Sequence, residues 1–227
     1  MRRGHQCGML WGSALAVGAE CARRYADRGQ AVGVAITTTR RVVESFSRTA
    51  GSLDCREITG TDFMNKLDML KYLLFKARHC FNLAEKWAPE AIRSATEALS
   101  SRRDDPTRSQ ASCASEVARR MGATEDQAIT VAGFAGGLGL SGHGCGALGA
   151  AIWLNTLAWC GRPERSSTST YNNPSAASTL TAFLGASESE TRCDRITGRR
   201  FTTVDEHTEY VRSGGCEKLI DALARSS

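Results

Sequence analysis

No stretch of this chain reaches the roughly 18 consecutive apolar residues that a membrane-spanning helix needs. The uncharged stretch at 145–161, rich in Gly and Ala, reads as a buried helix instead. The start, Met1-Arg2-Arg3-Gly4-His5, is followed by a short apolar run that leads straight into a helical pattern, so it lacks the layout of a signal peptide. The expectation is a cytoplasmic protein with no membrane span. A basic stripe with interleaved aromatics is missing too. The net charge of +5 is spread along 227 residues, with only short pairs such as Arg40-Arg41 and Arg199-Arg200. That footprint leaves nucleic acid out of the expected partners.

Several cysteine motifs are also absent. There is no Cys-x-x-Cys pair of the kind that structural zinc sites carry. No Cys-x-x-Cys-His marks a c-type haem, and the common ferredoxin spacings are missing. The glycine run at 133–142 is followed by no Gly-Lys-Ser/Thr, so it is not a phosphate loop. No nucleophile elbow points to a hydrolase. No motif assigns an enzymatic reaction.

What the chain does have is cysteine: Cys7, Cys21, Cys55, Cys80, Cys113, Cys145, Cys160, Cys193 and Cys216. Without an export signal, a disulfide framework is not the expected use. The odd count of nine also rules out full pairing within one chain. Redox, metal or cluster chemistry becomes the leading class.

The cysteines repeat. His5-Gln6-Cys7-Gly8 matches His143-Gly144-Cys145-Gly146, and Leu10 matches Leu148. Cys55-Arg-Glu-Ile-Thr-Gly60 matches Cys193-Asp-Arg-Ile-Thr-Gly198, and Phe63 matches Phe201. The offset is 138 throughout. Later the register slips by two residues, yet Cys80 and Cys216 both read Cys-x-x-Leu. Residues 112–144, with Cys113 and the glycine run, have no counterpart ahead of Cys7. The expected organisation is a truncated first repeat at 1–99, a linker at 100–111 and a complete second repeat at 112–227. The missing front predicts exposed apolar surface on the first repeat, hence a homodimer or an upstream segment.

The coarse reading is helical throughout. Thr124 with Gln127 forms a capping box, after which Ala128, Val131, Ala132 and Ala135 share one face. Residues 145–160 are apolar on almost all sides and should be central, and residues 7–27 are their counterpart. Residues 32–50 and 175–184 are the next matching helices. A short turn at Cys55 closes at Gly60. Helices follow at 67–79, 81–99 and 216–225. No run of alternating strands is found. The expected fold is all-α, two pseudo-repeated helical bundles, the first lacking its N-terminal part.

Cys7 and Cys145 stand at helix starts, where free N–H groups and the helix dipole favour thiolate over thiol. Thiolate is the form that ligates metal or attacks a disulfide. Cys21 and Cys160 lie in apolar helices and read as core. The cysteines of the second repeat are 32, 48 and 23 residues apart, so the fold must assemble any shared site. His5 and His143 precede their cysteines by two residues, as ligands, relays, donors to sulfur or plain turn residues. His79 and His207 have no matched partner and read as solvated.

These motifs together resemble the C-GCAxxG-C-C family of small redox-active helical proteins. The resemblance rests on Cys113, the run beginning Gly133-Phe-Ala-Gly-Gly-Leu-Gly, Gly144-Cys145-Gly146-Ala147-Leu148, Cys193-Asp-Arg-Ile-Thr-Gly198 and Cys216-Glu-Lys-Leu. It covers residues 112–225, with a half-length match over 5–95. It implies four characteristic cysteines, Cys113, Cys145, Cys193 and Cys216, with Cys7, Cys55 and Cys80 as their counterparts in the first repeat. Related modules in split-Soret-type cytochromes imply an iron–sulfur cluster. The function expected is therefore redox or electron transfer with an unknown redox partner. An iron–sulfur site would use Cys145, Cys193 and Cys216, with Cys113 as fourth ligand or nearby thiol. The alternatives are a metal-free thiol–disulfide protein, or a non-catalytic interaction domain with core cysteines and no cofactor.

Overall fold

The computed structural model describes residues 5–101, 109–161 and 173–225. Most of the 100–111 linker lies outside the described residues. The fold is all-α. Among the described residues only two isolated β-bridges interrupt the helices and turns. The first half holds α1 (Gly8–Arg24), α2 (Arg28–Ala50), α3 (Cys55–Thr59) and α4 (Lys66–Lys71). A π-helical turn, Tyr72–Lys76, joins α4 to α5 (Ala77–Ser100), so the two helices expected there run on as one. Then come α6 (Cys113–Arg120), α7 (Glu125–Thr130), a 3-10 turn (Ala132–Phe134), α8 (Gly146–Cys160) and α9 (Pro174–Ala186). The chain ends with α10 (Cys193–Thr197), α11 (Val204–Arg212) and α12 (Glu217–Ala224).

The boundaries have local causes. Asp27 caps α2 by accepting from the Gln30 N–H at 2.7 Å, and Gly51 ends that helix in the left-handed region at φ 75°. The Thr124/Gln127 capping box forms as the spacing predicts. Asn173 accepts from two N–H groups of α9, whose first residue is Pro174. There the missing proline N–H costs nothing, because it would have no helical partner.

The two halves share one hydrophobic core. Phe46, Trp87, Ile36 and Leu10 from the first half pack in one cluster with Ile129, Phe134 and Leu138 from the second. Trp87 stands edge-on to Phe46 at 4.8 Å and donates its indole N–H to Ser45 at 3.0 Å. The segment from α6 to the 3-10 turn has two sides. Its α7 and 3-10 turn pack on α1 and α2, while α6 packs on α8 and α12. A single front segment therefore covers both cysteine-bearing halves. A satellite cluster joins Val117, Phe183, Ile220 and Leu223 around α8.

Close backbone approach makes this possible. A Cβ on Gly18 of α1 would collide with the Thr130 backbone of α7, and one on Gly133 would strike Thr39 of α2. Gly12, six residues earlier on α1, faces open space. Gly18→Ala should therefore cost about 1–3 kcal/mol by overpacking. Gly12→Ala should be neutral, or stabilising by up to about 1 kcal/mol through helix propensity. Denaturant unfolding of the two variants checks the packing. Equal effects would contradict it.

Candidate functional site

Each of the four second-half cysteines stands at the start of a helix. Cys113 opens α6, Cys145 precedes α8, Cys193 opens α10 and Cys216 precedes α12. A short antiparallel pairing brings two of these starts together. The Cys145 N–H donates to the Thr191 carbonyl at 2.9 Å, and the Cys193 N–H donates to the His143 carbonyl at 2.6 Å. Gly144 and Arg192 form the bridge between them. The packing of α6 on α8 and α12 brings in Cys113 and Cys216.

The same device occurs in the first half. The Cys7 N–H donates to Leu53 at 2.8 Å, the Cys55 N–H donates to His5 at 3.0 Å, and Gln6 bridges Asp54. Every one of these positions lies 138 residues before its second-half equivalent. Phe63 and Tyr72 stand 5.1 Å apart, as do Phe201 and Tyr210 at the same offset.

The electrostatics divide the thiols into two groups. Cys113 and Cys216 lie within hydrogen-bonding reach of each other, and they titrate in opposite directions. The Cys216 thiol holds the Cys113 thiol well below its ordinary pKa, assisted by His207 and by the Gly136 N–H. The Cys216 thiol is pushed up, first by its hydrogen bond to Cys113 and then by burial. Burial pushes Cys145 up to about 12, against the Leu148 and Ala147 N–H groups that favour its thiolate. Cys193 is also pushed up by burial, and by the charges of Cys113 and Cys145. Of the four thiols, Cys113 alone is lowered, while the other three are raised. The second group is Cys7, Cys55 and Cys80. Burial is the main cause that raises Cys7, and it raises Cys55 to about 11. These thiols feel one another's charge, and the Tyr72 hydroxyl donates to Cys80 at 3.2 Å.

A helix start alone thus does not make a thiolate here. At Cys7 and Cys145, desolvation outweighs the N–H donors that the sequence suggested would lower their pKa. Cys21 is fully buried core, as expected, whereas Cys160 is exposed at the end of α8. His79 is exposed, but His207 is not solvated. It is only 1% exposed, packs edge-on to Phe201 at 5.0 Å, and its Nδ1 has no partner. Helical spacing carried the signal, since Val204, His207, Thr208 and Val211 share one face of α11. Gln6 was also missed. Its amide reaches Ser141 at 3.3 Å and accepts from the Gly144 N–H at 3.0 Å, joining the first half to the glycine run. His143 faces Asp54 at 3.6 Å, while His5 is exposed.

The model of the C_GCAxxG_C_C family, described as "Putative redox-active protein", matches residues 109–226. The chain belongs to this family. No curated protein and no solved structure matches it. The matched span contains Cys113, Cys145, Cys160, Cys193 and Cys216, and it reads Gly144-Cys145-Gly146-Ala147-Leu148-Gly149. Gly146 stands where the family's name carries alanine, because the Phe134 carbonyl occupies the space that a Cβ would need. The family supports a redox role. Among the described residues no three His, Cys, Asp or Glu side chains are grouped to hold one metal ion. Nor is any helix there long and apolar enough to cross a membrane.

In iron-free reduced protein, Cys113 should ionise at lower pH than an ordinary thiol and before the other three. Cys145, Cys193 and Cys216 should ionise only above the ordinary thiol range. Far-ultraviolet thiolate absorbance against pH reads this. Cys113→Ser should remove the low-pH thiolate, and His207→Gln should move its titration to higher pH. Curves unchanged by both substitutions would contradict the assignment.

Proposed function

We propose that Cys113, Cys145, Cys193 and Cys216 hold an iron–sulfur cluster and that the protein works in electron transfer. One observation supports the reading: the four thiols stand at four separate helix starts, and the charges of Cys113, Cys145 and Cys193 all act on Cys216. The donor set fits such a group. It offers four soft sulfur donors, backbone N–H groups on two of them, and a buried imidazole with an unpartnered nitrogen. A single ion needs its ligands gathered round one point. A cluster takes its thiolates on different irons, so the sulfurs stand further apart.

When bound, the cluster supplies a one-electron couple. The protein's own part is to hold and tune. The Gly136 N–H donates to the Cys113 sulfur, and the Leu148 and Ala147 N–H groups donate to Cys145. Such bonds stabilise negative charge on sulfur and raise the potential of a group held there. Cys113, Cys145 and Cys193 are buried, which keeps water from the site. Cys216 is only partly buried and marks the side at which a redox partner approaches. Cys7, Cys55 and Cys80 form a separate trio, with the Tyr72 hydroxyl beside Cys80 and no fourth thiol. We read the chain as two related cysteine modules, of which the second carries the redox site.

The Cys113–Cys216 pair supports a second reading, a reversible dithiol. There the two thiols form one S–S bond and pass two protons and two electrons to an external disulfide, which is reduced to two thiols. Anaerobic purification separates the readings. The cluster reading predicts brown protein containing iron and sulfide, lost in Cys145→Ser and kept in Cys7→Ser. Colourless, iron-free protein that loses two thiols on mild oxidation would overturn it in favour of the dithiol.

A further inference from the structure

The helix formed by α4, the π-turn and the start of α5 lies on the surface with its apolar side outward. Neither α4 nor the π-turn contributes a buried residue. Leu67, Leu70, Leu73, Leu74, Phe75 and Phe81 are between 53% and 78% exposed. Leu67, Leu70, Leu74 and Phe81 follow helical spacing and form one stripe, and Leu73 and Phe75 widen it. Taking about 150–200 Å² for a large apolar side chain, these six expose on the order of 700 Å² together. The largest apolar patch on a typical monomer is about 300–600 Å². A standard protein interface takes about 800 Å² from each partner.

We propose that this stripe is a two-fold interface with a second copy of this chain. The area exposed is close to what one protomer contributes to a stable dimer. The chain's segments outside the described residues do not suit the stripe. Residues 102–108 (Arg-Arg-Asp-Asp-Pro-Thr-Arg) are polar, and residues 162–172 contain Tyr171 but no Leu, Ile, Val, Met or Phe. The charges bordering the stripe are of both signs: Lys66, Lys71, Lys76, Arg78 and Lys86 with Asp68 and Glu85. None of them forms an ion pair with a described residue. A two-fold axis makes each patch meet its own copy, so mixed charges can pair across it, residue i with j and j with i. An anionic membrane would instead favour a polar face of lysine and arginine alone.

The inference does not depend on the cluster reading, because none of these residues touches the four cysteines of the second half. Sedimentation of the full chain over a concentration series tests it, alongside Leu70→Glu/Leu74→Glu. Both positions are solvent-facing, so helix content by circular dichroism should not change. The wild type should sediment as a dimer, and the double variant should associate about 100-fold more weakly or worse. A monomeric wild type would overturn the proposal, as would a variant that dimerises as well as the wild type. So would a monomer that binds phosphatidylcholine–phosphatidylserine vesicles through these leucines.

Discussion

Everything in this molecule meets at the glycine run between the 3-10 turn and α8. Its backbone passes so close to its neighbours that side chains would not fit. A Cβ on Gly139 would meet the Arg40 backbone of α2, and one on Gly137 would meet Cys193 and the His143 N–H. One residue earlier, the Gly136 N–H reaches the Cys113 sulfur. Leu138 and Leu140 adopt left-handed backbone, at φ 73° and 62°, and still bury their side chains. Strain of that kind persists only where surrounding packing over-determines it. This loop joins the two halves, fixes the approach of α2, and lays the floor under two of the four cysteines.

At three of the four cysteines the protein's own surroundings favour the neutral thiol. Burial pushes protons onto Cys145 and Cys193, and Cys216 keeps its proton to serve Cys113. A group that binds thiolates and carries positive charge of its own would release those protons on binding. The first-half trio differs in that the Tyr72 hydroxyl donates to Cys80, whereas the equivalent Tyr210 donates to the Gly215 carbonyl, and in that the front segment contributes no cysteine to it.

Much of this was legible in the sequence, and for physical reasons. Helix positions followed from apolar periodicity, the α7 start from Thr124 and Gln127, and the end of α3 from Gly60. The constant offset of 138 located both cysteine pairings before any geometry was known. What stayed hidden depends on tertiary packing. Both Cys113 and Cys145 are buried, and it is the partners Cys216 and His207 that lower the pKa at Cys113 and not at Cys145. His207 lacks a repeat partner, so the comparison between halves passed over it although its helical face pointed inward. The sharing of one front segment by both halves rests on glycine contacts between residues far apart in sequence, such as Gly18 with Thr130 and Gly133 with Thr39.

The central claim is that four helix-start cysteines form one cofactor site and the other three do not. Diffraction from anaerobically grown crystals, measured at the iron absorption edge, tests it most directly. The account predicts strong anomalous density among the sulfurs of Cys113, Cys145, Cys193 and Cys216, and none at Cys7, Cys55 and Cys80. A Cys113–Cys216 disulfide without iron, or iron at the first-half trio, would contradict it.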